Sequence, residues 1–517
     1  MRYHLLYICS KDELSNVATA LNRLYATTVE SGGAVAEAFE LRHSLLGDTV
    51  LQINILTDLN AVGGHLRSYP VDLLIYDERG DGSTPAPDAV RLIKKDVQAL
   101  ADLWGPDFLF PMSRVVAIIE RQDHLPEHAF ELGQLDIRDV CVAPKNTAAL
   151  VLWLKRILAE GVIKENRVGL SLSGGGLEGF LYQLGCLYAL EQSVEGRELN
   201  HVDVVSGVSS GSIVGSLFAA GISLDEVIKS LHQKSDLLPS LTSGAIFDIA
   251  GLEIAQRLMK QSLGWAGLSP QKWLSKISGS VPTGFFRGSK LELFFRDIFT
   301  ETVELDDNFK NFKSELFIGA TDQDSYEHVI FGLPPWDDVP VSEAVRASIA
   351  LPPVFVPKSI KGRWFIDGQV TKTTDLELVV DKGCSLVVII NPLKPYTSNT
   401  PGSTDKLGGV HGFIQTIKAL VSSRFESSLK HVTERFPSVD FIVFEPDEEC
   451  AKVMSGSPMR YRIRTEIVQL AYLSTLRKLR ERREVYAVKL GKYGYKLKSV
   501  HTLKKLEEVD LSQLGDE

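Results

Sequence analysis

Short runs of branched apolar residues recur through the first part of the chain, at 4–9 (HLLYIC), 50–56 (VLQINIL), 71–77 (VDLLIYD), 114–120 (RVVAIIE) and 137–143 (IRDVCVA). Runs this brief, without polar alternation, are the signature of strands buried on both faces of a parallel sheet. The intervening polar stretches carry a helical period. From Asp88 to Trp104, Val90, Ile93, Leu100 and Leu103 fall roughly on one face, and a second helix is expected from Asn146, a good capping residue, to Leu158. Five strands alternating with helices predict a doubly wound, flavodoxin-like sheet over residues 1–163. A second α/β unit is expected over 164–517, where strand-like runs at 167–173, 201–206 and 364–367 each end in a glycine-bearing turn.

Length adds that a chain of 517 residues has room for two to four domains at about 100–200 residues each. With 44% apolar and 24% charged residues it is an ordinary folded chain, which excludes disordered and disulfide-stapled classes. The net charge is −10, and −7 of it lies in residues 1–165, which hold 16 basic and 23 acidic residues. Whole-chain attraction to nucleic acid is therefore not expected. The five cysteines are scattered, with no C-x-x-C pair, so neither a metal site nor a disulfide framework is expected. Tyr3–Cys9 is too short for a signal-peptide core, and no run reaches the roughly 18 apolar residues of a spanning helix. These features predict a cytoplasmic protein that meets membranes, if at all, at their surface.

The second unit carries the candidate chemistry. Arg167–Ser173 leads into Gly174-Gly175-Gly176-Leu177-Glu178-Gly179 and an apolar helical stretch. Gly174, Gly176 and Gly179 satisfy G-x-G-x-x-G, which can cradle a dinucleotide pyrophosphate on helix N-terminal amides. The same bare amides can hold an oxyanion, and the loop alone does not choose. After 201–206 comes Gly207-Val208-Ser209-Ser210-Gly211 and a helix of small residues. A nucleophilic serine needs a tight strand-to-helix turn with glycines where side chains would clash, so Ser209 is the candidate nucleophile, with Gly207 and Gly211 supporting the turn. A third strand ends at Asp367-Gly368, and a serine hydroxyl needs a base that Asp367 can supply. Ser209, Asp367 and His411 also run in the chain order of a conventional triad, with His411 in a glycine-rich loop.

Residues from about 167 to 400 resemble the patatin-like phospholipases, calcium-independent lipid acyl hydrolases that use a Ser-Asp dyad. The glycine loop, the G-x-S-x-G turn and the Asp-Gly pair occur in that family's order. Ala347–Phe355 (ASIALPPVF) and Ala320-Thr321-Asp322 are similar to two further family segments. The resemblance implies a patatin-like α/β hydrolase domain in which Ser209 is nucleophile and Asp367 its base. It also implies an oxyanion hole around Gly174, Gly175 and Gly176, a supporting Gly368, no metal, no organic cofactor, and a lipid or membrane-surface substrate. Two positions depart from the family: Glu178 stands where Arg or Lys is usual, and Gln369 where Gly or Ala is usual. Glu178 is expected either to weaken a preference for anionic head groups or to lie exposed at the start of its helix.

Residues 1–163 resemble a response-regulator receiver domain, with Asp77 at the phospho-acceptor position. The acidic pair, small hydroxyl residue and lysine that accompany that position are replaced by Ser10-Lys11-Asp12, Glu120-Arg121 and Pro144-Lys145. Asp77 is therefore a candidate regulatory residue beside the alternative of a solvated strand-end aspartate. A degenerate receiver that docks a protein partner is the better reading.

Two apolar regions suggest where lipid is met. Leu237–Phe299 holds Leu237, Leu238, Phe247, Ile249, Leu252, Trp265, Trp273, Phe285, Phe286, Phe294 and Phe295, either a cap over an acyl cavity or helical core. Arg477–Arg483 carries five bases and one acid among Leu473, Leu476, Leu479 and Tyr486, either a membrane-seeking amphipathic helix or a solvated face. Two alternatives to hydrolysis remain open from sequence: a catalytically impaired lipid-binding scaffold, and an NAD(P)-dependent oxidoreductase built on the glycine loop. Oligomeric state is not legible.

Overall fold

The computed structural model describes residues 2–514 except 25, 30–33, 42–49, 70, 81–82, 105–109, 121–124, 138, 162–166, 198, 200–201, 242–283, 398–401, 403–405, 407 and 456–463. Two mixed α/β sheets follow one another along the chain. The first is built from β1 (Arg2–Ile8), β2 (Thr27–Val29), β3 (Glu37–Leu41), β4 (Val50–Leu56), β5 (Leu73–Asp77), β6 (Val115–Ile119) and β7 (Asp139–Val142), in the order β2-β3-β4-β1-β5-β6-β7. Its parallel part, β4-β1-β5-β6-β7, comprises the five expected strands in flavodoxin-like order. One face is covered by helices Lys11–Arg23 and Thr147–Gly161 through Val17, Leu21, Leu150 and Leu154; the other by Val62–Ser68, Ala86–Trp104 and Leu125–Gly133 through Leu66, Val90, Ile93 and Leu132. Asn146 caps its helix as expected, its Oδ1 accepting from the Ala149 N–H at 2.9 Å. The antiparallel edge pair β2 and β3 was not expected, and Leu103 is exposed rather than on the buried face.

The second sheet has eight strands: β8 (Arg167–Leu172), β10 (Val204–Val208), β11 (Glu315–Asp322), β12 (His328–Phe331), β13 (Lys358–Ile360), β14 (Arg363–Asp367), β15 (Cys384–Ile390) and β16 (Asp440–Phe444). Strands β11-β10-β8-β15-β16 run parallel, and β14 and β12 pair antiparallel with β11. A separate ribbon joins β9 (Val194–Gly196) to β17 (Tyr495–Leu497). Helices Gly176–Ser193, Ser210–Ala219 and Arg464–Glu481 cover one face, and Leu376–Asp381 with the long helix Gly409–Arg435 covers the other. Among the described residues no helix is long and apolar enough to cross a membrane.

Buried charges join the two sheets. The Arg114 guanidinium donates to the carbonyls of Pro437 (2.6 Å) and Val439 (3.1 Å) and lies 3.4 Å from Asp440. Lys492 bridges Asp72 of the first unit and Asp440 of the second, and Tyr493 donates to Asp440 at 3.0 Å. Against the opposing pull of burial, Lys492 and Arg114 hold the Asp440 carboxyl well below its ordinary range.

Candidate active site

The G-x-S-x-G segment forms the tight turn that its glycines suggested. β10 ends at Val208, Ser209 takes φ 55° and ψ −124°, and the helix starts at Ser210. Such a positive φ is costly for a residue with a side chain and persists only where the surroundings enforce it. Here they do: a Cβ on Gly207 would lie 2.3 Å from the Gly211 carbonyl oxygen, and one on Gly211 2.3 Å from that of Leu172. The Ser209 N–H donates to Ser348 Oγ at 2.8 Å, and Ser348 Oγ donates onward to the Gly319 carbonyl at 2.7 Å. Ser212 Oγ holds the Ser209 carbonyl at 2.6 Å.

Asp367 reaches this turn from the end of β14. Ser209 Oγ donates to Asp367 Oδ2 at 2.7 Å, while Asp367 Oδ1 accepts the Gln369 N–H at 2.8 Å. The backbone of Asp367 is fixed as well: its N–H donates to Ala350 and its carbonyl accepts from Thr321 Oγ1 at 3.0 Å. Gly368 leaves room for the Gly319 carbonyl, which a Cβ would meet at 2.4 Å. Asp367 is 1% exposed, and among the described residues no cation pairs with it. Burial pushes its carboxyl up to about 7, against the opposing hydrogen bonds from Ser209 and Gln369. A carboxylate poised near neutrality and bonded to a serine hydroxyl can take that proton.

The glycine loop lies alongside. The helix that begins at Gly176 leaves its first amides without intrahelical acceptors. A Cβ on Gly175 would meet Pro392, and one on Gly179 would lie 3.0 Å from Ser210 Oγ, so the two glycine motifs abut. The Gln369 carboxamide covers Gly174, where an added Cβ would lie 2.3 Å from Gln369 Cδ. The protein's own side chains thus occupy the outer faces of Gly174 and Gly175.

The family model for patatin-like phospholipases matches residues 170–380. Residues 170–380 are a patatin-like phospholipase domain. Two viral proteins align with part of this chain: "Uncharacterized protein R571" of Acanthamoeba polyphaga mimivirus, 26% identical over 42% of this chain and 64% of its own length, and "Probable lipid hydrolase 463L" of Invertebrate iridescent virus 6, 25% identical over 41% and 62%. The chain therefore spans somewhat less than two thirds of these relatives. VipD from Legionella pneumophila aligns over 61% of this chain and 66% of its own at 15% identity, with a TM-score of 0.28, too low to imply a shared fold.

Within and around the patatin-like domain, several expectations change. Glu178 is neither exposed nor a bare charge by the loop: it is 1% exposed and lies 3.8 Å from Lys418 of the long helix. The helix it opens packs between the sheet and Arg464–Glu481, and although Gly176 is exposed and Leu177 half-buried, Glu178 is interior. Burial lowers the Lys418 pKa, with Glu178 opposing, and Lys418 donates to the Met454 carbonyl at 2.6 Å. His411 lies in the first turn of a helix rather than a loop, and Ser209 bonds Asp367 directly, leaving no place for an intervening imidazole. Asp77 is 1% exposed, not solvated: Arg79 grips both its oxygens and the Tyr7 hydroxyl donates to it at 2.7 Å.

In the insertion, Leu291, Phe295 and Ile298 are core, Leu237 and Phe285 are exposed, and Phe247, Ile249, Leu252, Trp265 and Trp273 lie outside the described residues. The basic C-terminal segment is neither a membrane helix nor a wholly solvated face. Leu476, Leu479 and Tyr486 are buried, Arg480 pairs with Glu507, and Lys489 and Lys492 turn inward. Ser348 was missed as a site residue, although it lies in the quoted segment Ala347–Phe355; nothing in its local pattern shows that it would support the Ser209 amide.

Proposed function

We propose that this chain is a serine lipid acyl hydrolase that cleaves carboxylic esters of phospholipids or related lipids without calcium, with Ser209 as nucleophile and Asp367 as its base. The observation that carries the reading is the 2.7 Å hydrogen bond from Ser209 Oγ to a buried Asp367 that no described cation neutralises. The patatin-like domain and the viral relative named as a probable lipid hydrolase support the substrate class.

In the proposed mechanism Asp367 accepts the Ser209 proton as Oγ attacks the ester carbonyl, and amides around Gly175 and Gly176 stabilise the tetrahedral oxyanion. Collapse expels the alcohol, which takes the proton from Asp367. Asp367 then deprotonates a water that attacks the acyl-serine, and as the acyl–Oγ bond breaks and the fatty acid leaves, Asp367 returns that proton to Ser209 Oγ. Residues 1–163 form a regulatory or docking unit in this reading, and 164–517 the catalytic unit.

The test is fatty-acid release from mixed phospholipid vesicles and from a soluble short-chain ester, with calcium chelated. Wild type turns both over, and Ser209→Ala and Asp367→Asn do not. Lipid binding without turnover by the wild type would instead favour a scaffold.

A further inference from the structure

A cavity of about 180 Å³ opens beside the turn that follows Asp367, between Thr371–Glu377 and the long helix Gly409–Arg435. It does not include Ser209 or Asp367. It holds many times the roughly 10–15 Å³ that one water needs. Its lining brings Lys372, Thr373, Arg424 and Ser428 together with one acid, Glu377.

Arg424 is the informative group. Its Nη1 donates to the Val370 carbonyl at 3.0 Å, its Nη2 to the Gln369 carbonyl, and its Nε to Thr373 Oγ1 at 3.3 Å. All three acceptors are neutral, and among the described residues no carboxylate pairs with this guanidinium. Burial accordingly lowers its pKa, with no opposing charge. A guanidinium has five N–H donors, so two remain beyond these three bonds. Glu377, the one acid of the lining, is already met by Arg435 at 3.0 Å and His431 at 3.8 Å. Lys372 lines the same cavity from an exposed position, and among the described residues no acid pairs with it.

We propose that this cavity binds a phosphate group, with Arg424 and Lys372 as its cationic ligands and the Ser428 hydroxyl as a donor. Arginine suits an oxyanion because its planar fork matches tetrahedral oxygens, and a half-buried guanidinium with no carboxylate partner gains from one. The site touches the catalytic turn through one residue. Arg424 holds the Gln369 carbonyl, the Gln369 N–H holds Asp367, and the Gln369 carboxamide covers Gly174. The phosphate is either a lipid head group or a free ion. Only the link to turnover rests on the hydrolase reading; the binding itself does not.

The experiment is calorimetric titration of the full chain with inorganic phosphate at fixed ionic strength, beside co-sedimentation with phosphatidylcholine vesicles with and without phosphatidic acid. Arg424 braces the catalytic turn, so the variants are Lys372→Gln and Ser428→Ala, read by phosphate binding, which the loss of a merely structural hydroxyl would not change. Wild type is expected to bind inorganic phosphate at one saturable site, and the double variant at least tenfold more weakly. A parallel loss of preference for phosphatidic acid marks the head group as the source; phosphate binding lost without a change on vesicles marks the free ion. Neither saturable phosphate binding nor a phosphatidic acid preference in wild type, or both of them unchanged in the double variant, overturns the proposal. Short-chain ester turnover by the wild type, measured in parallel, tests the hydrolase reading by itself.

Discussion

Asp77 and Asp367 are the same residue in the same kind of place, each the last residue of a strand and each 1% exposed, yet their surroundings equip them for opposite work. Asp77 is gripped by the Arg79 guanidinium, which contacts both carboxylate oxygens, and receives the Tyr7 hydroxyl besides. Burial and the Asp77 charge together push the Tyr7 phenol well above its ordinary value, so that donor stays protonated. Asp367 receives one hydroxyl and one amide and no cation, and burial lifts its carboxyl to about 7. Burial alone does not make a base. Burial without a counter-ion does, because the proton is then the only positive charge within reach.

The largest expected effect is on turnover. Asp367→Asn should lower fatty-acid release by at least about 10³-fold, the scale on which removing a triad member acts, while Asp77→Asn should leave short-chain ester turnover within about threefold of wild type. Comparable losses in both variants would erase the distinction.

Stability should rank them the other way. Asp77→Asn leaves the largely buried Arg79 with Glu13 alone, 3.3 Å away, and weakening such a pair costs roughly 2 kcal/mol after allowance for its partial exposure, read as a lower unfolding midpoint in urea. Asp367→Asn should instead stabilise at alkaline pH. A carboxyl whose pKa is raised in the folded state binds its proton more tightly there than when unfolded. Its contribution is whole below the ordinary value of 3.8 and is lost as pH rises through about 7. The asparagine variant should therefore match wild type near pH 4 and exceed it by about 4 kcal/mol at pH 8. The same titration gives a wild-type rate that climbs about tenfold per pH unit below 7 and levels above it, in a pH profile on the soluble ester. The smallest effect belongs to His411→Ala, expected to change turnover less than about twofold; a collapse would restore the triad and end the claim that Asp367 acts without a histidine.

Much of this was legible because it is local. The five parallel strands of the first sheet show as unbroken Val, Ile and Leu runs since both of their faces are covered. The Ser209 turn shows because its glycines are forced by backbone contacts only a few residues away or across one strand pair. Strand β2 was invisible because Thr27–Val29 is a three-residue edge strand with exposed positions and no apolar pattern. The pairings that changed the reading of single residues are all remote in sequence: Glu178 finds Lys418, Ser209 finds Ser348, and Lys492 finds Asp72. Local pattern carries no information about which distant element will arrive. The basic C-terminal segment illustrates the cost, since a run of charges reads as a surface when Leu479 within it, Leu476 just before it and Lys489 and Lys492 after it are in fact interior.

The buried ionic seam between the sheets also has a bearing on how this chain can change. Asp440 and Lys492 lie in the second unit, but their neutralisation is completed by Arg114 and Asp72 of the first. A fragment beginning near residue 160 would expose an ammonium and a carboxylate shaped for partners that had been cut away. The two halves are accordingly not interchangeable cassettes. Recombination that brought in a foreign first half would have to supply an arginine and an aspartate at matching positions, and drift at any one of the four sites constrains the other three.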